Sequence, residues 1–274
     1  MPGKIITFSG KGGSGKTTLA SMVLRELIRT GVRPILAVDA DPNATLALTL
    51  GVECPGTMAD LREDMSAAAK KPSQIPKERL MDMLMAELLS EQEGFDLLTM
   101  GRPEGPNCYC YVNGLLRRYL SILRSNYRIV LVDCEAGMEY LSRLVVDEIE
   151  TIVLVAEETP VGLTTARRIG ELADSLPMKV HRRVLAINKI AQPCPEAGVR
   201  PAQLPAADAV VEVPFDGDLA SRCMRGLAVD GAAGAEARAA VEELTRLCLG
   251  ETRKRNVPLG TTSETPTGLV EESA

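Results

Sequence analysis

KIITFSGKGGSGKTTLASMVLRELI, residues 4 to 28, carries three signals in succession. The apolar run at 4 to 8 reads as a short strand buried on both faces. Gly10, Lys11, Gly12, Gly13, Ser14, Gly15, Lys16 and Thr17 then satisfy the spacing GxxxxGK[ST], with Thr18 following. Leu19, Val23 and Leu27 recur at i, i+4 and i+8 on a helix that Gly31 and Pro34 bring to an end. Strand, glycine loop and helix in this order are the context that a phosphate-binding loop requires. Glycines let the backbone fold closely round phosphate oxygens, and the helix N-terminus turns free N–H groups toward negative charge. The motif matches Lys16 to the β- and γ-phosphates and the Thr17 hydroxyl to magnesium, so the stretch predicts a site for ATP or ADP with Mg.

Outward from this loop, strand and helix signals alternate. Further apolar runs lie at 35 to 38, 95 to 100, 128 to 132, 151 to 156 and 183 to 187, and Leu115, Leu116, Tyr119, Leu120 and Leu123 mark a later helix. The pattern predicts an α/β fold of the P-loop NTPase kind, a mostly parallel sheet with helices on both faces. Ligands of such sheets bind at the carboxyl ends of the strands. Residues 52 to 94, interrupted by Pro55, Pro72 and Pro76, read as an excursion from the sheet, either a lid or a surface insertion. Residues 1 to 250 form the expected ATPase domain. The Thr, Glu, Gly and Pro-rich stretch from 251 to 274 is expected to be a disordered tail.

Composition narrows the partners. A formal charge of −6 gives no electrostatic footprint for nucleic acid or an anionic membrane. Three Phe, five Tyr and no Trp leave few platforms for stacking bases. No apolar run approaches the roughly 20 residues of a membrane span, and no signal-peptide pattern precedes the first strand, so a cytoplasmic protein without nucleic-acid or membrane partners is expected. Seven cysteines in a reducing compartment read as thiols or metal ligands rather than a disulfide framework.

Two carboxylate segments accompany the loop. VDADP, residues 38 to 42, offers Asp39 and Asp41; VLVDCEAG, residues 130 to 137, ends a strand on Asp133, with Gly137 giving the following loop room to move. Carboxylates at strand ends beside phosphates hold magnesium through its waters or position a nucleophile; alone, each could equally be a helix cap or a turn residue.

The segment KGGxGKTT resembles the deviant Walker A loop of the MinD, ParA and nitrogenase-iron-protein group. That resemblance implies an ATP-dependent homodimer in which Lys11 reaches the partner's nucleotide. It also implies catalytic parts for Lys11, Lys16 and Asp41, with Asp133 as the Walker B aspartate and Asp39 close by. Asn188 with Lys189, and Pro214 with Phe215 and Asp216, resemble the group's adenine-binding segments; Asn188 also reads as a plain strand-ending residue.

Cys108-Tyr109-Cys110 lies in GPNCYCYVNG, read as a short loop ahead of the helix at 115 to 123. Two soft thiolates suit Zn, Ni or a shared iron–sulfur cluster, and a twofold axis could assemble four of them; two buried cysteines or a redox pair are the alternatives. Together with the loop, VDADP and VDCEAGMEYLSR at 132 to 143, the CYC pair resembles the CooC-type nickel-insertion ATPases of carbon monoxide dehydrogenase maturation. The likeness implies Ni, or Zn, on Cys108 and Cys110 across a nucleotide- and metal-dependent dimer. Its implied client is carbon monoxide dehydrogenase or a related acetyl-CoA synthase. An iron–sulfur electron-transfer ATPase and a ParA- or MinD-like positioning ATPase are the rivals. Cys134, beside Asp133, reads as a small buried residue.

Overall fold

A computed structural model describes residues 2–61, 77–102, 108–136, 147–191, 204–229 and 231–251. Among them the strands are β1 (Lys4–Gly10), β2 (Ile35–Ala40), β3 (Ser90–Gln92), β4 (Phe95–Thr99), β5 (Ile129–Cys134), β6 (Glu148–Glu157), β7 (Lys179–Ile190) and β8 (Ala209–Pro214). The helices are α1 (Lys16–Arg29), α2 (Leu46–Leu50), α3 (Lys77–Leu88), α4 (Cys108–Leu123), α5 (Pro160–Ser175), α6 (Gly217–Met224) and α7 (Ala235–Cys248).

The strands form one sheet in the order β3-β4-β2-β5-β1-β6-β7-β8, parallel except at the β3 edge, as the alternating pattern predicts. β1 lies between β5 and β6, with Ile6 opposite Leu131 on one side and Thr151 on the other. The period of two along each strand divides the core. Val38, Val130, Val132, Leu154 and Leu185 pack with α4 and α5, whereas Phe8, Ala37, Leu131, Val153 and Val184 pack with α1 and α7. This is why the strands read as unbroken apolar runs.

β3 and β8 extend the sheet beyond the six strands expected. β3 has three residues without apolar periodicity and pairs only through its backbone with β4. β8 pairs along β7 from Val184↔Ala209 to Ile190↔Pro214, and its half-exposed positions mask a strand pattern. The 52 to 94 excursion contains α3 and β3, with Met58 and Met85 buried on the α4 face; its residues 62–76, like the tail from 252 onward, lie outside the described residues. No helix among the described residues is long and apolar enough to cross a membrane.

Phe8 is fully buried in the middle strand. Phe8→Ala is expected to cost about 3–5 kcal/mol in urea unfolding through lost burial and a residual cavity. Leu48→Ala, at a 58% exposed position, should stay within about 0.5 kcal/mol.

Candidate nucleotide site

The chain passes from β1 into α1 through residues 11–15 at the carboxyl edge of the sheet. Gly13 and Gly15 adopt φ of +79° and +95°, a region that costs other residues energy. A Cβ on Gly15 would also sit 2.3 Å from Asn188 Nδ2. Lys16 is buried, its Nζ 3.4 Å from the Lys11 carbonyl, so the ammonium curls back over the loop where phosphates would lie.

The loop is tied to β7 from outside. The Asn188 amide donates to the Ser14 carbonyl at 2.8 Å. Lys189 Nζ donates to the Gly13 carbonyl at 2.6 Å and pairs with Glu157 at 2.8 Å. The strand is irregular here between Asn188 and Ile190, and Lys189 takes φ +62°. Such a bulge re-aims a side chain, and here it serves the loop. Asn188 thus lies in the cleft but spends its Nδ2 on the phosphate loop.

Asp39 and Asp133 face each other across β2 and β5 on the α1 side. Both are fully buried. Asp39 accepts from the backbone N–H of Asp41 at 3.2 Å and of Leu46 at 2.8 Å, so it shapes the loop that carries Asp41. Asp133 Oδ2 accepts the Thr17 hydroxyl at 2.6 Å, while its Oδ1 is buried without a protein partner. Burial is the chief cause that pushes the Asp133 carboxyl up to about 7 and the Asp39 carboxyl up to about 6. The Thr17 hydroxyl and neighbouring Lys16 oppose the rise at Asp133, and the Asp39 charge adds to it. An unpartnered carboxylate oxygen beside a threonine hydroxyl is a hard oxygen set that fits Mg²⁺. Burial likewise pushes the Cys134 thiol up, in keeping with an inert, space-filling side chain.

These elements enclose a cleft of about 620 Å³. Gly12, Gly13, Gly15, Lys16, Thr17 and Thr18 form its floor, with Asp41, Asn43 and Ala136 at one end and Pro214, Phe215 and Asp216 at the other. Asp41 Oδ1 accepts from both the backbone N–H and the amide of Asn43, which fixes the loop at that end. Leu219, Ala220 and Cys223 of α6 also line the cleft and are absent from the sequence-derived set. Asp216 caps α6 through the Leu219 N–H and also accepts from the Gly234 N–H, so it anchors that wall. Lys11 is exposed at the loop and makes no ion pair among the described residues.

The cysteine pair departs from its expected setting. The backbone of Cys108 and Cys110 belongs to the first turn of α4 rather than to a loop; their side chains lie outside the described residues. Gly137 also lies outside them. Among the described residues no cluster of three or more His, Cys, Asp or Glu could hold a metal ion.

Two outcomes follow from this geometry. The folded state retains protons on Asp39 and Asp133 that an unfolded chain, with carboxyls near 3.8, releases. Nucleotide-free protein should therefore lose stability as pH rises from about 4 through about 7. Urea midpoints across that range should show the fall, and Asp133→Asn should flatten it. Asn188→Ala should weaken ADP and inorganic pyrophosphate alike, each by about tenfold, because it loosens the phosphate loop. A loss confined to ADP in calorimetric titration would instead make Asn188 a base contact.

Comparison with known proteins agrees with the fold. Residues 3–176, more than half of the chain, match the family described as AAA domain. The chain is 34% identical over 226 residues to the uncharacterized ATP-binding protein MJ0685 of Methanocaldococcus jannaschii, covering 81% of this chain and 89% of the relative. It is 31% identical over 234 residues to the carbon monoxide dehydrogenase accessory protein CooC of Rhodospirillum rubrum, covering 81% and 88% respectively. The fold resembles the septum site-determining protein MinD of Pyrococcus horikoshii OT3, solved with Mg-ADP, at TM-score 0.63 and 20% identity over 89% of this chain and 95% of that one. The chain belongs to the AAA-domain family and is a P-loop ATPase.

Proposed function

We propose that this ATPase is a metallochaperone that carries Ni(II) on Cys108 and Cys110 of two subunits and delivers it to a carbon monoxide dehydrogenase or a related acetyl-CoA synthase. The observation that carries the reading is topological. α4 begins at Cys108, eight residues and one short connection after β4 ends at Thr99, and β4 runs parallel to β2. The chain therefore leaves β4 at the same sheet edge as Asp41 and the phosphate loop. A twofold dimer closing over that edge would bring two Cys-Tyr-Cys turns together and complete a four-thiolate site. The likeness to the carbon monoxide dehydrogenase accessory protein CooC supports a carbon monoxide dehydrogenase as the destination, and two soft thiolates suit Ni(II) as the cargo. A helix N-terminus favours the thiolate form that such a site needs, and a reducing cytoplasm keeps the thiols free.

In this reading the residues divide the work. The glycines and Thr18 hold the phosphates of ATP or ADP, Lys16 neutralises their β- and γ-oxygens, and exposed Lys11 reaches the nucleotide of the second subunit. Thr17 and Asp133, with Asp39 behind them, would hold Mg²⁺, which supplies charge neutralisation on the phosphates. Asp41 orients the attacking water from its Asn43-braced loop, and Pro214 with the Asn188 segment borders the adenine. The nucleotide changes nickel affinity only so far as it favours one arrangement of the dimer over another.

Anaerobic nickel titration of the wild type and of Cys108→Ala/Cys110→Ala, with ADP or ATP present and mass followed in solution, tests the proposal. One Ni per nucleotide-bound dimer, lost in the variant, is the expected result. Nickel binding unchanged in the variant contradicts the shared-thiolate site. A brown, redox-active protein from anaerobic preparation favours an iron–sulfur ATPase instead, and ATP-dependent DNA or liposome binding that survives loss of both cysteines favours a positioning ATPase.

A further inference from the structure

A second cavity of about 490 Å³ lies between α1, α7 and the residues Val229, Gly231 and Ala233, and shares no lining residue with the nucleotide cleft. Its volume is in the range of small-molecule sites. Its wall is unusually rich in arginine for a chain of charge −6: Arg25, Arg29, Arg33 and Arg238 all line it.

Their partners are uneven. Arg29 is matched by the Glu26 carboxylate through Nε and Nη2 at 2.7 Å, so that pair adds no net charge to the wall. Arg33 and Arg238 are exposed and join no ion pair among the described residues. Arg25 is held in place by the Leu50 carbonyl at 2.7 Å and by the Phe95 ring 5.9 Å away, yet its Nε is buried without a partner. Arg238 Nη2 donates to the Ala233 carbonyl at 3.1 Å. A buried guanidinium donor left unsatisfied is costly, and three guanidiniums without a carboxylate partner among the described residues repel each other round one cavity. Among the described residues, Glu93 is the one further carboxylate on the wall. Met22, Val229 and Val241 supply buried apolar surface beside these charges.

We propose that this cavity binds a small organic anion, a carboxylate or phosphate on an apolar body. Its head group takes the forks of Arg33 and Arg238, which match either oxyanion in two-point contacts, with the Arg25 charge beside them. Its body rests on Met22, Val229 and Val241. The class of ligand follows from the wall: an inorganic anion would leave the apolar surface unused, and a neutral ligand would leave the guanidiniums unmatched.

The fluorescent probe 8-anilinonaphthalene-1-sulfonate combines an anionic group with apolar rings, and a chain without Trp gives little competing emission. Titration is made on the full chain saturated with Mg-ADP, so that the nucleotide cleft is occupied. One saturable site per chain is expected, weakened at least about tenfold by Arg33→Glu/Arg238→Glu and less by Arg33→Gln/Arg238→Gln. Both positions are exposed, so both variants should fold, which thermal unfolding checks. Decanoate and decyl phosphate are then added as competitors. Displacement by one more than the other identifies the head group, and displacement by neither overturns the proposal. Non-saturable binding, or equal affinity in wild type and both variants, as for dye adhering to exposed side chains such as Met224, overturns it as well.

Discussion

The pairing of Thr17 with Asp133 is the contact on which the site depends. It joins the first turn of α1 to the end of β5, so the phosphate loop and the acidic strand end are set by one 2.6 Å hydrogen bond. Asp133 is fully buried and one of its oxygens lacks a partner, which raises the energy of the ionised carboxylate in the nucleotide-free protein. Asp133 Oδ1 shares this state with the Ser14 hydroxyl of the phosphate loop, and buried polar atoms left unmatched beside a cleft call for a ligand. A divalent cation bound there would relieve the desolvation that pushes the carboxyl up. In the proposed function, the cost held at Asp133 without nucleotide would become affinity for Mg-nucleotide.

Around that contact the fold braces the site from two sides. β7 grips the back of the phosphate loop through Asn188 and Lys189, and Glu157 steadies Lys189 from β6. Asp39 organises the Asp41 loop through two backbone N–H groups, and so links the Asp133 end of β5 to residues 41–46 by way of the adjacent strand. A change of charge at Asp133 is felt at Asp39, because the two carboxyls lie side by side in the register and each raises the energy of the other's charge. This gives the Asp41 loop a physical reason to respond to what occupies the cleft.

The sheet, its parallel sense and the phosphate loop were legible because they rest on local signals: runs of Val, Ile and Leu, and a glycine spacing that few other structures need. Asp39 and Asp133 were legible as strand-end acids, but their burial and mutual register depend on β2 and β5 being neighbours, which spacing does not encode. The tie from Lys189 to Gly13 spans 176 positions and left no sequence signal beyond the Asn-Lys pair at a strand end. The α6 wall was missed because Leu219, Ala220 and Cys223 look like ordinary helix residues until Asp216 turns them over the cleft. Cys108 and Cys110 were read as a short loop ahead of the helix at 115 to 123. Yet Val112, Leu115, Leu116 and Tyr119 already hold helical spacing, and the helix that they define runs back to Cys108.

The most direct test of this account is the proton count on binding. Mg-ADP is titrated calorimetrically near pH 6.5 in two buffers of different ionisation enthalpy, with wild type and Asp133→Asn compared. The account predicts net proton release from the wild type that shrinks in the variant, because the cation draws the buried carboxyl into its ionised form. Equal proton release in the two proteins would contradict it and would mean that Asp133 does not answer to the cation.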